Sequence, residues 1–338
     1  MPTIRDVAKL TGLSVGTVSN VLNNVPTVSE KNREKVYAAI AQLGYRKNQA
    51  ASQLRSNRSN AIGLIIPDIT NPFYPEIARG VGDAARRSGY NVFLFNKDRS
   101  VQEEKEALNA LLEKQVDGIL LFKPHLSAKR ARELQKQCAL VLCDADPETL
   151  GCDTVNVDDY QGMRTALEQV IAMGHRRIAF LSGLPDSVSS MRRLKAYRDV
   201  LADHGLPQPE DYVRSGDYTV ESGQKALPAL MALPEPPTAV IAANDLMAVG
   251  VVSQAAEMGL QIPGDLSVVG YDDVSAARWI SPRLTTTWHP KYEMGEAAVR
   301  LLLDRIRARQ QGKELPRQSL SMETELRIRD TLAPPRKA

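Results

Sequence analysis

The sequence predicts a small all-helical head followed by an α/β body folded as two doubly wound parallel sheets. Three observations carry this expectation. Residues 3–45 hold apolar residues at helical spacing in three short blocks, punctuated by glycine, serine and one loop. From residue 61 the pattern changes to short apolar runs alternating with amphipathic segments, the order of βαβ units. That alternation comes in two series, one over 61–143 and one beginning near 154, which calls for two lobes. A chain of 338 residues is ample for this many domains.

The first block, TIRDVAKLTGLSVGTVSNVLN, parses as two helices around a tight turn. Thr3 and Asp6 form a capping-box variant, and Ile4, Val7 and Ala8 give one buried face. Gly12 stands where the first helix must stop, since a left-handed residue costs least as glycine. Ser14 is an N-cap for the second helix, with Val18, Val21 and Leu22 inward and Val15, Gly16, Thr17, Ser19 and Asn20 outward. Such a small, neutral-polar face suits a duplex groove: hydroxyls can donate to phosphates, and asparagine can pair bidentately with adenine. After a loop at 25–27, Ser29 caps a third helix with Val36, Ile40 and Leu43 as its inner stripe and Gly44 as its end. Residues 46–58 contain a single large apolar residue, Leu54, and alone make a marginal helix or a linker.

AIGLIIPDI, from 61, is the near-continuous apolar run of a strand buried on both faces. It is followed by a helix over 75–89, a strand over 91–96, a helix over 101–114, a strand over 118–122, a helix over 128–137 and a strand over 139–143. In the second series, helices are expected over 160–173, 191–204, 220–233 and 246–258, and strands over 177–182, around 213, over 238–242 and over 267–271. In doubly wound sheets ligands bind beyond the strand C-termini, so a cleft between the lobes is the expected small-molecule site.

Composition bounds the function. The chain is 43% hydrophobic and 25% charged, as soluble globular proteins are. Its net charge is only +3, but residues 1–58 hold nine Lys/Arg against three acids, leaving the remainder at −3. A basic head on a slightly acidic body is the footprint of a phosphate-binding module. Cys138, Cys143 and Cys152 have no metal-ligand spacing and read as reduced, partly buried thiols. No signal peptide precedes Pro2 and no apolar run reaches the roughly 18 residues of a membrane span, so a cytoplasmic protein is expected. Enzyme signatures are lacking: the glycines at 80 and 82 lie within a helical segment, and there is no P-loop and no nucleophile elbow. His125, His175, His204 and His289 are scattered, and His175 reads as a surface turn residue. No cofactor or metal is expected.

The letters T-I-x-D-V-A-x-x-x-G-x-S-x-x-T-V-S-x-V-L-N resemble the N-terminal helix-turn-helix signature of the lactose/galactose repressor (LacI/GalR) family. The likeness continues through V-S-x-x-x-R-x-K-V and A-x-x-x-L-G-Y, with Asn32 replacing the usual threonine. It extends to NPFY (71–74), VDGILL (116–121), GHRRIAFLSG (174–183), ANDLMAVG (243–250), IPGDLSVVGYDD (262–273) and SPRLTTTWHP (281–290), and so spans essentially the whole chain. The resemblance implies a DNA-binding transcriptional regulator, most simply a repressor, working as a homodimer on operator DNA. It implies a head over 1–45, a hinge over 46–60, and a two-lobed body like the periplasmic sugar-binding proteins. Three chain crossings, near 156–160, 286–290 and 318–321, would give lobes of 61–157 with 288–318 and of 158–287 with 319–334. By family position Val15, Gly16 and Asn20 face base edges, and Leu54 wedges into the minor groove. Thr3, Ser14, Thr17, Ser19 and Asn23 hold phosphates. Lys47 stands where the family usually has a proline; losing that rigid residue can weaken initiation of the hinge helix, while the added lysine can contact a phosphate.

For the effector site, Asp272 can accept from vicinal hydroxyls, and Arg193 matches the family's ligand-binding arginine. Asn244, Phe73, Tyr74, Phe122 and Tyr218 complete the expected set, with Trp288 a further aromatic and Asp144 and Asn96 weaker candidates. This mixture suits a polyhydroxylated effector, with a sugar acid or a purine as alternatives. The tail TLAPPRKA is too short and too rich in proline for a heptad zipper, so a dimer without a further assembly segment is expected. Two rival functions stay in view: a solute receptor with a protein-binding head, and a sugar-modifying α/β enzyme.

Overall fold

A computed structural model of the chain describes residues 2–22, 25–45 and 59–336. They form two compact units, Met1–Ser59 and Asn60–Ala338.

The head contains α1 (Ile4–Thr11), α2 (Val15–Leu22) and α3 (Glu30–Leu43). The Asp6 carboxylate accepts both the backbone N–H and the hydroxyl of Thr3, each at 2.8 Å, which fixes the start of α1. Gly12 ends it at φ +68°. Ser14 Oγ accepts the Thr17 N–H at 3.1 Å and so caps α2. Ser29 departs from expectation: its side chain makes no cap, and only its carbonyl receives the Asn32 and Arg33 N–H groups. Glu30 in the first turn of α3 supplies the negative charge that this helix end favours. Val7, Ala8, Val18, Val21, Val36, Ala39 and Tyr45 form the core. Arg33 ties the connecting loop to α3 by donating to the carbonyls of Val25 (2.6 Å) and Val28 (3.3 Å).

The body begins with β1 (Ala61–Ile66), α4 (Phe73–Arg87), β2 (Asn91–Asn96), α5 (Val101–Glu113), β3 (Gly118–Phe122), α6 (Ala128–Gln137), β4 (Ala139–Cys143), α7 (Pro147–Leu150) and β5 (Asp153–Val157). The second lobe runs α8 (Asp159–Ala172), β6 (Ile178–Ser182), α9 (Val188–Asp203), β7 (Val213–Ser215), α10 (Val220–Met231), β8 (Ala239–Ala242), α11 (Asp245–Glu257), β9 (Ser267–Asp272), α12 (Ala276–Trp279) and β10 (Thr285–Trp288). The chain then returns with α13 (Lys291–Gln310), β11 (Ser319–Met322) and β12 (Glu325–Arg327).

The first sheet has the order β11-β5-β4-β3-β1-β2 and is parallel throughout. The second, β12-β10-β9-β8-β6-β7, is parallel except for β12, which runs antiparallel to β10. The apolar runs follow from helices on both faces. In β1, Ile62, Leu64 and Ile66 enter one core with α4 and α13, while Ala61 and Ile65 enter another with α5 and α6. α4 and α13 approach closely because both carry glycine at the contact. A Cβ on Gly80 would lie 2.1 Å from the Tyr292 carbonyl oxygen, and one on Gly295 would lie 2.4 Å from that of Ile77.

The lobes are joined at Asp158, at His289–Pro290 and at residues 323–324. The third crossing therefore lies beyond the expected 318–321, because β11 pairs with β5 and stays in the first sheet. The longest helix, α13, and the strands β5, β10, β11 and β12 have no counterpart among the expected elements. Cys138, Cys143 and Cys152 are all buried free thiols. Burial pushes the Cys138 and Cys152 thiols up to about 11, so they stay protonated and unreactive at neutral pH.

Candidate functional sites

On the head, the outward side of α2 is open. Val15 is 38% exposed; Gly16 and Asn20 are exposed, and Thr17 and Ser19 half-buried. Thr3 and Ser14 are exposed as well, although Ser14 Oγ already contacts Thr17 Oγ1 at 2.9 Å. Gly16 has no internal reason to be glycine: a Cβ there would meet only Ser14 Oγ, at an ordinary 3.7 Å. Asn23 and Leu54 lie outside the described residues.

In the body, both sheets follow the order 2-1-3-4-5, with a switch point between β1 and β3 and another between β6 and β8. Side chains beyond those strand ends meet in one cleft, lined by Asn71, Phe73, Tyr74, Lys123, Asp144, Arg193, Tyr218 and Asp272, among others. The backbone marks the same place. Lys123 (φ +47°), Asp144 (+52°), Tyr218 (+67°) and Asp272 (+111°) all take left-handed conformations without being glycine. Each costs on the order of 1–3 kcal/mol, and such strain persists only where surrounding contacts hold it, as at ligand clamps. Tyr218 is held by Asn244, whose amide donates to the Tyr218 carbonyl at 3.2 Å, and Gly183 leaves room for its ring.

Arg193, on α9, is the best-fixed charge in the cleft. Its Nε and Nη2 donate to Asp159 Oδ1 at 2.9 and 2.7 Å, Nη1 donates to the Ala243 carbonyl, and the guanidinium lies 3.7 Å from the Tyr271 ring centre. Asp272 Oδ1 stands 3.9 Å from Nη2 and 3.3 Å from His289 Nε2. Burial raises the Asp159 carboxyl above its usual range despite Arg193. Burial also opposes the Arg193 charge, but Asp159 and Asp272 hold the guanidinium protonated.

The two lobes meet through polar contacts around this cleft. Asp144, after β4, accepts the Ser189 N–H (3.1 Å) and hydroxyl (2.9 Å) at the start of α9. Burial pushes the Asp144 carboxyl up, yet Lys123 at 3.3 Å and the Ser189 hydrogen bond outweigh it and keep the group ionised. Lys123 also donates to Ser187 Oγ (3.3 Å) and lies 4.3 Å from the Tyr218 ring centre. Arg99 reaches the Asp217 carbonyl at 2.5 Å, and the buried Lys291 reaches the Asp272 carbonyl at 2.6 Å.

Of the expected effector residues, Phe73, Tyr74, Arg193, Tyr218 and Asp272 come together here, joined by Asp144. Phe122 does not: it is buried behind Tyr74, 6.1 Å ring to ring, because its side chain points into the sheet core. Asn244 caps α11 and supports Tyr218 from behind. Trp288 faces Arg327 at the sheet edge, and Asn96 accepts the Ile69 N–H at 2.8 Å, so neither lines the cleft. Lys123, Ser189, Asp159 and His289 escaped sequence reasoning, since nothing in their local letters signals the positions to which the fold brings them. His175 is no surface residue. It is 1% exposed and clamped between Thr238 Oγ1 (2.9 Å) and the Ala333 carbonyl (2.8 Å), tying the C-terminal segment to the second lobe. Among the described residues, no group of His, Cys, Asp and Glu could hold a metal ion, and no helix is long and apolar enough to cross a membrane.

Residues 3–48 match the model of the bacterial regulatory proteins of the lacI family, and residues 167–332 match a periplasmic binding protein-like domain. The HTH-type transcriptional repressor PurR of Vibrio campbellii is 34% identical, with 98% of this chain and 99% of PurR aligned. The chain belongs to the LacI family. Among other members, catabolite control protein A of Priestia megaterium is 38% identical over 89% of this chain and 91% of its own length. CytR of Escherichia coli K12 is 35% identical over 97% and 95%. These LacI-family relatives are transcription regulators and not enzymes. Among solved structures, the lac repressor dimer bound to operator and the anti-inducer ONPF superposes with a TM-score of 0.87 at 31% identity, covering 98% of this chain and 99% of that one. A CelR–cellobiose complex gives 0.72 at 33%, covering 98% and 100%. As a LacI-family protein the chain is a DNA-binding transcriptional regulator with an effector-binding body.

Proposed function

We propose that this regulator represses transcription in the cytoplasm as a homodimer, without catalytic turnover, and that a small polyhydroxylated effector in the cleft controls it. The observation that carries the DNA half is Gly16: a glycine whose Cβ would meet nothing closer than an ordinary contact, on an exposed helix face, has its reason outside the chain. In this reading each head lays α2 in the major groove. Val15 meets a thymine methyl, Asn20 reads adenine, and Gly16 permits close backbone approach. Thr3, Ser14, Thr17, Ser19 and Asn23 hold phosphates, and Leu54 wedges the minor groove at the operator centre. The relatives' names support the effector half: CelR is solved with cellobiose, and lac repressor with ONPF. Phe73, Tyr74 and Tyr218 wall the ring, while Arg193, Asp272 and Asp144 address its hydroxyls. Since Asp144 joins the two lobes through Ser189, an effector that competes for its oxygens shifts the lobe equilibrium by its differential affinity, and DNA shifts effector affinity by the same factor. The test is a gel shift with genomic fragments at two salt concentrations, followed by binding-site selection. Retardation should weaken steeply with salt. Asn20→Ala should relax preference at one position per half-site, whereas Thr17→Ala should weaken all sequences alike. Absence of any retarded band at low salt removes the reading.

A further inference from the structure

We infer that the first lobe holds a second ligand site, separate from the cleft, that takes a phosphate-bearing metabolite. It lies where β4 and β5 begin, at Ala139 and Asp153, whereas the cleft lies beyond the strand C-termini, so the two sites are at opposite ends of the sheet. A cavity of about 330 Å³ opens there between the end of α6, the end of α13 and the segment that follows it, a volume in the ordinary range of small-molecule sites.

The local sequence builds this cavity. α13 ends in a Schellman turn: Gly312 takes φ +63°, its N–H donates to the Arg309 carbonyl at 3.1 Å, and the Lys313 N–H donates to the Ala308 carbonyl at 2.9 Å. The turn sets Lys313 on the rim. Arg305 pins the segment beyond it, pairing with Asp153 through Nε and Nη2 while Nη1 donates to the Leu315 carbonyl at 2.6 Å. Arg309 donates to the Gln135 and Lys136 carbonyls and so closes the α6 side. Cys138, Leu140, Ala308 and Leu315 supply apolar surface.

Charge selects the occupant. Arg305, Arg309, Lys313 and Arg317 line the cavity against two carboxylates, Asp153 and Glu314. Arg305 and Asp153 satisfy each other. Arg317 reaches Glu148, which is not part of the lining, at 3.4 Å, but Glu148 is 84% exposed, and so screened a pair yields to a better acceptor. Among the described residues Arg309 donates only to carbonyls, and the Lys313 side chain has no partner. A cation at the C-terminus of α6 is reason enough for Arg309, but it explains neither Lys313 nor the cavity. An anion held by Arg309, Lys313 and Arg317, with its organic part on the apolar surface, explains all of them. Guanidinium forks beside an ammonium suit a phosphate monoester. Glu314, exposed on the same rim and without an ion pair among the described residues, works against that anion.

The test titrates the purified full chain by calorimetry with glucose, glucose 6-phosphate, adenosine and adenosine 5′-monophosphate. A phosphate ester is expected to bind at least about tenfold more tightly than its unphosphorylated parent, and less tightly as salt is raised. Lys313→Glu should weaken the ester about tenfold, and Glu314→Gln should tighten it about threefold by removing a like charge. Lys225→Glu, at an exposed lysine of the second lobe, should change nothing. All three positions are exposed, so the variants keep the fold, as melting curves will check. The inference is overturned if neither ester outbinds its parent. It is overturned as well if Lys313→Glu or Glu314→Gln leaves ester binding unchanged, which would move the phosphate to another site such as the cleft. Weakened DNA retardation in Lys313→Glu, with no ester bound by the parent protein, also overturns it and assigns these cations to the duplex backbone.

Discussion

Removing either member of the Arg193–Asp159 pair should destabilise the body, but unequally. Both side chains are buried, at 7% and 5% exposure, and joined at 2.7 and 2.9 Å. Deleting one partner of a buried ion pair typically costs about 3–5 kcal/mol, because the other charge is left without water or counter-ion. The two leftovers differ. In Arg193→Met the stranded Asp159 can take up a proton, and burial already drives its carboxyl upward, so the cost should fall near the lower limit. In Asp159→Ala the guanidinium cannot neutralise, and it keeps the Ala243 carbonyl, the face of Tyr271 and a carboxylate 3.9 Å away but no close counter-ion, so the cost should lie near the upper limit. The pH dependence has a definite sign. A carboxyl raised in the folded state contributes stability that is lost as pH rises above its unfolded value of 3.8, so the deficit of Arg193→Met should grow from pH 4 towards neutrality. At roughly 2 °C per kcal/mol for a unit of this size, the melting points should fall by about 6 and 10 °C at neutral pH. Scanning calorimetry of both variants between pH 4 and 8 checks this. Losses under 2 °C for both, or a greater loss for Arg193→Met, would refute the assignment of the pair as a buried, uncompensated contact.

Gly16→Ala should leave the head equally or more stable, by up to about 1 kcal/mol because alanine favours helix, yet weaken DNA binding; parallel melting and gel-shift curves decide. Should both improve together, Gly16 has no role at the groove. Gly80→Ala drives a methyl to 2.1 Å from the Tyr292 carbonyl and should cost about 1–3 kcal/mol by forcing α4 from α13, measured by urea denaturation. Burial lowers the His175 pKa below its ordinary 6.5, so its contribution to stability is present above that pH and is lost as pH falls, by at most about 1.4 kcal/mol per unit. His175→Gln should flatten the fall in melting temperature between pH 7 and 5; equal slopes for both proteins would count against the clamp.

The strands of the first lobe were legible as short apolar runs between turn residues: 118–122 and 139–143 coincide with β3 and β4, buried on both faces, and 91–96 coincides with β2, the partly exposed edge strand. α13 was not, and its burial explains why. Residues as close as Leu301, Leu302 and Leu303 are all buried, so only a narrow polar stripe through Glu293, Glu296, Arg300, Asp304 and Arg307 stays outside, and the apolar face is too wide to read as a 3.6-residue stripe. β11 and β12 are edge strands of four and three residues with exposed alternate positions, too short to register. In the cleft, Arg193 and Asp272 could be placed because recognisable motifs surround them. Asp159, Ser189 and Lys123 could not, because their partners lie 34, 45 and 21 residues away along the chain. The left-handed backbone at Lys123 and Tyr218 left no glycine or asparagine to reveal it.

The threefold threading of the body has a bearing on how the protein comes into being. The first lobe is unfinished until α13 and β11 have been made, and the second until β12 has joined β10. The head, by contrast, needs only its own first forty-five residues. At roughly 5–20 residues per second of synthesis, a nascent chain therefore carries a folded DNA reader for tens of seconds before the part that listens to metabolism exists.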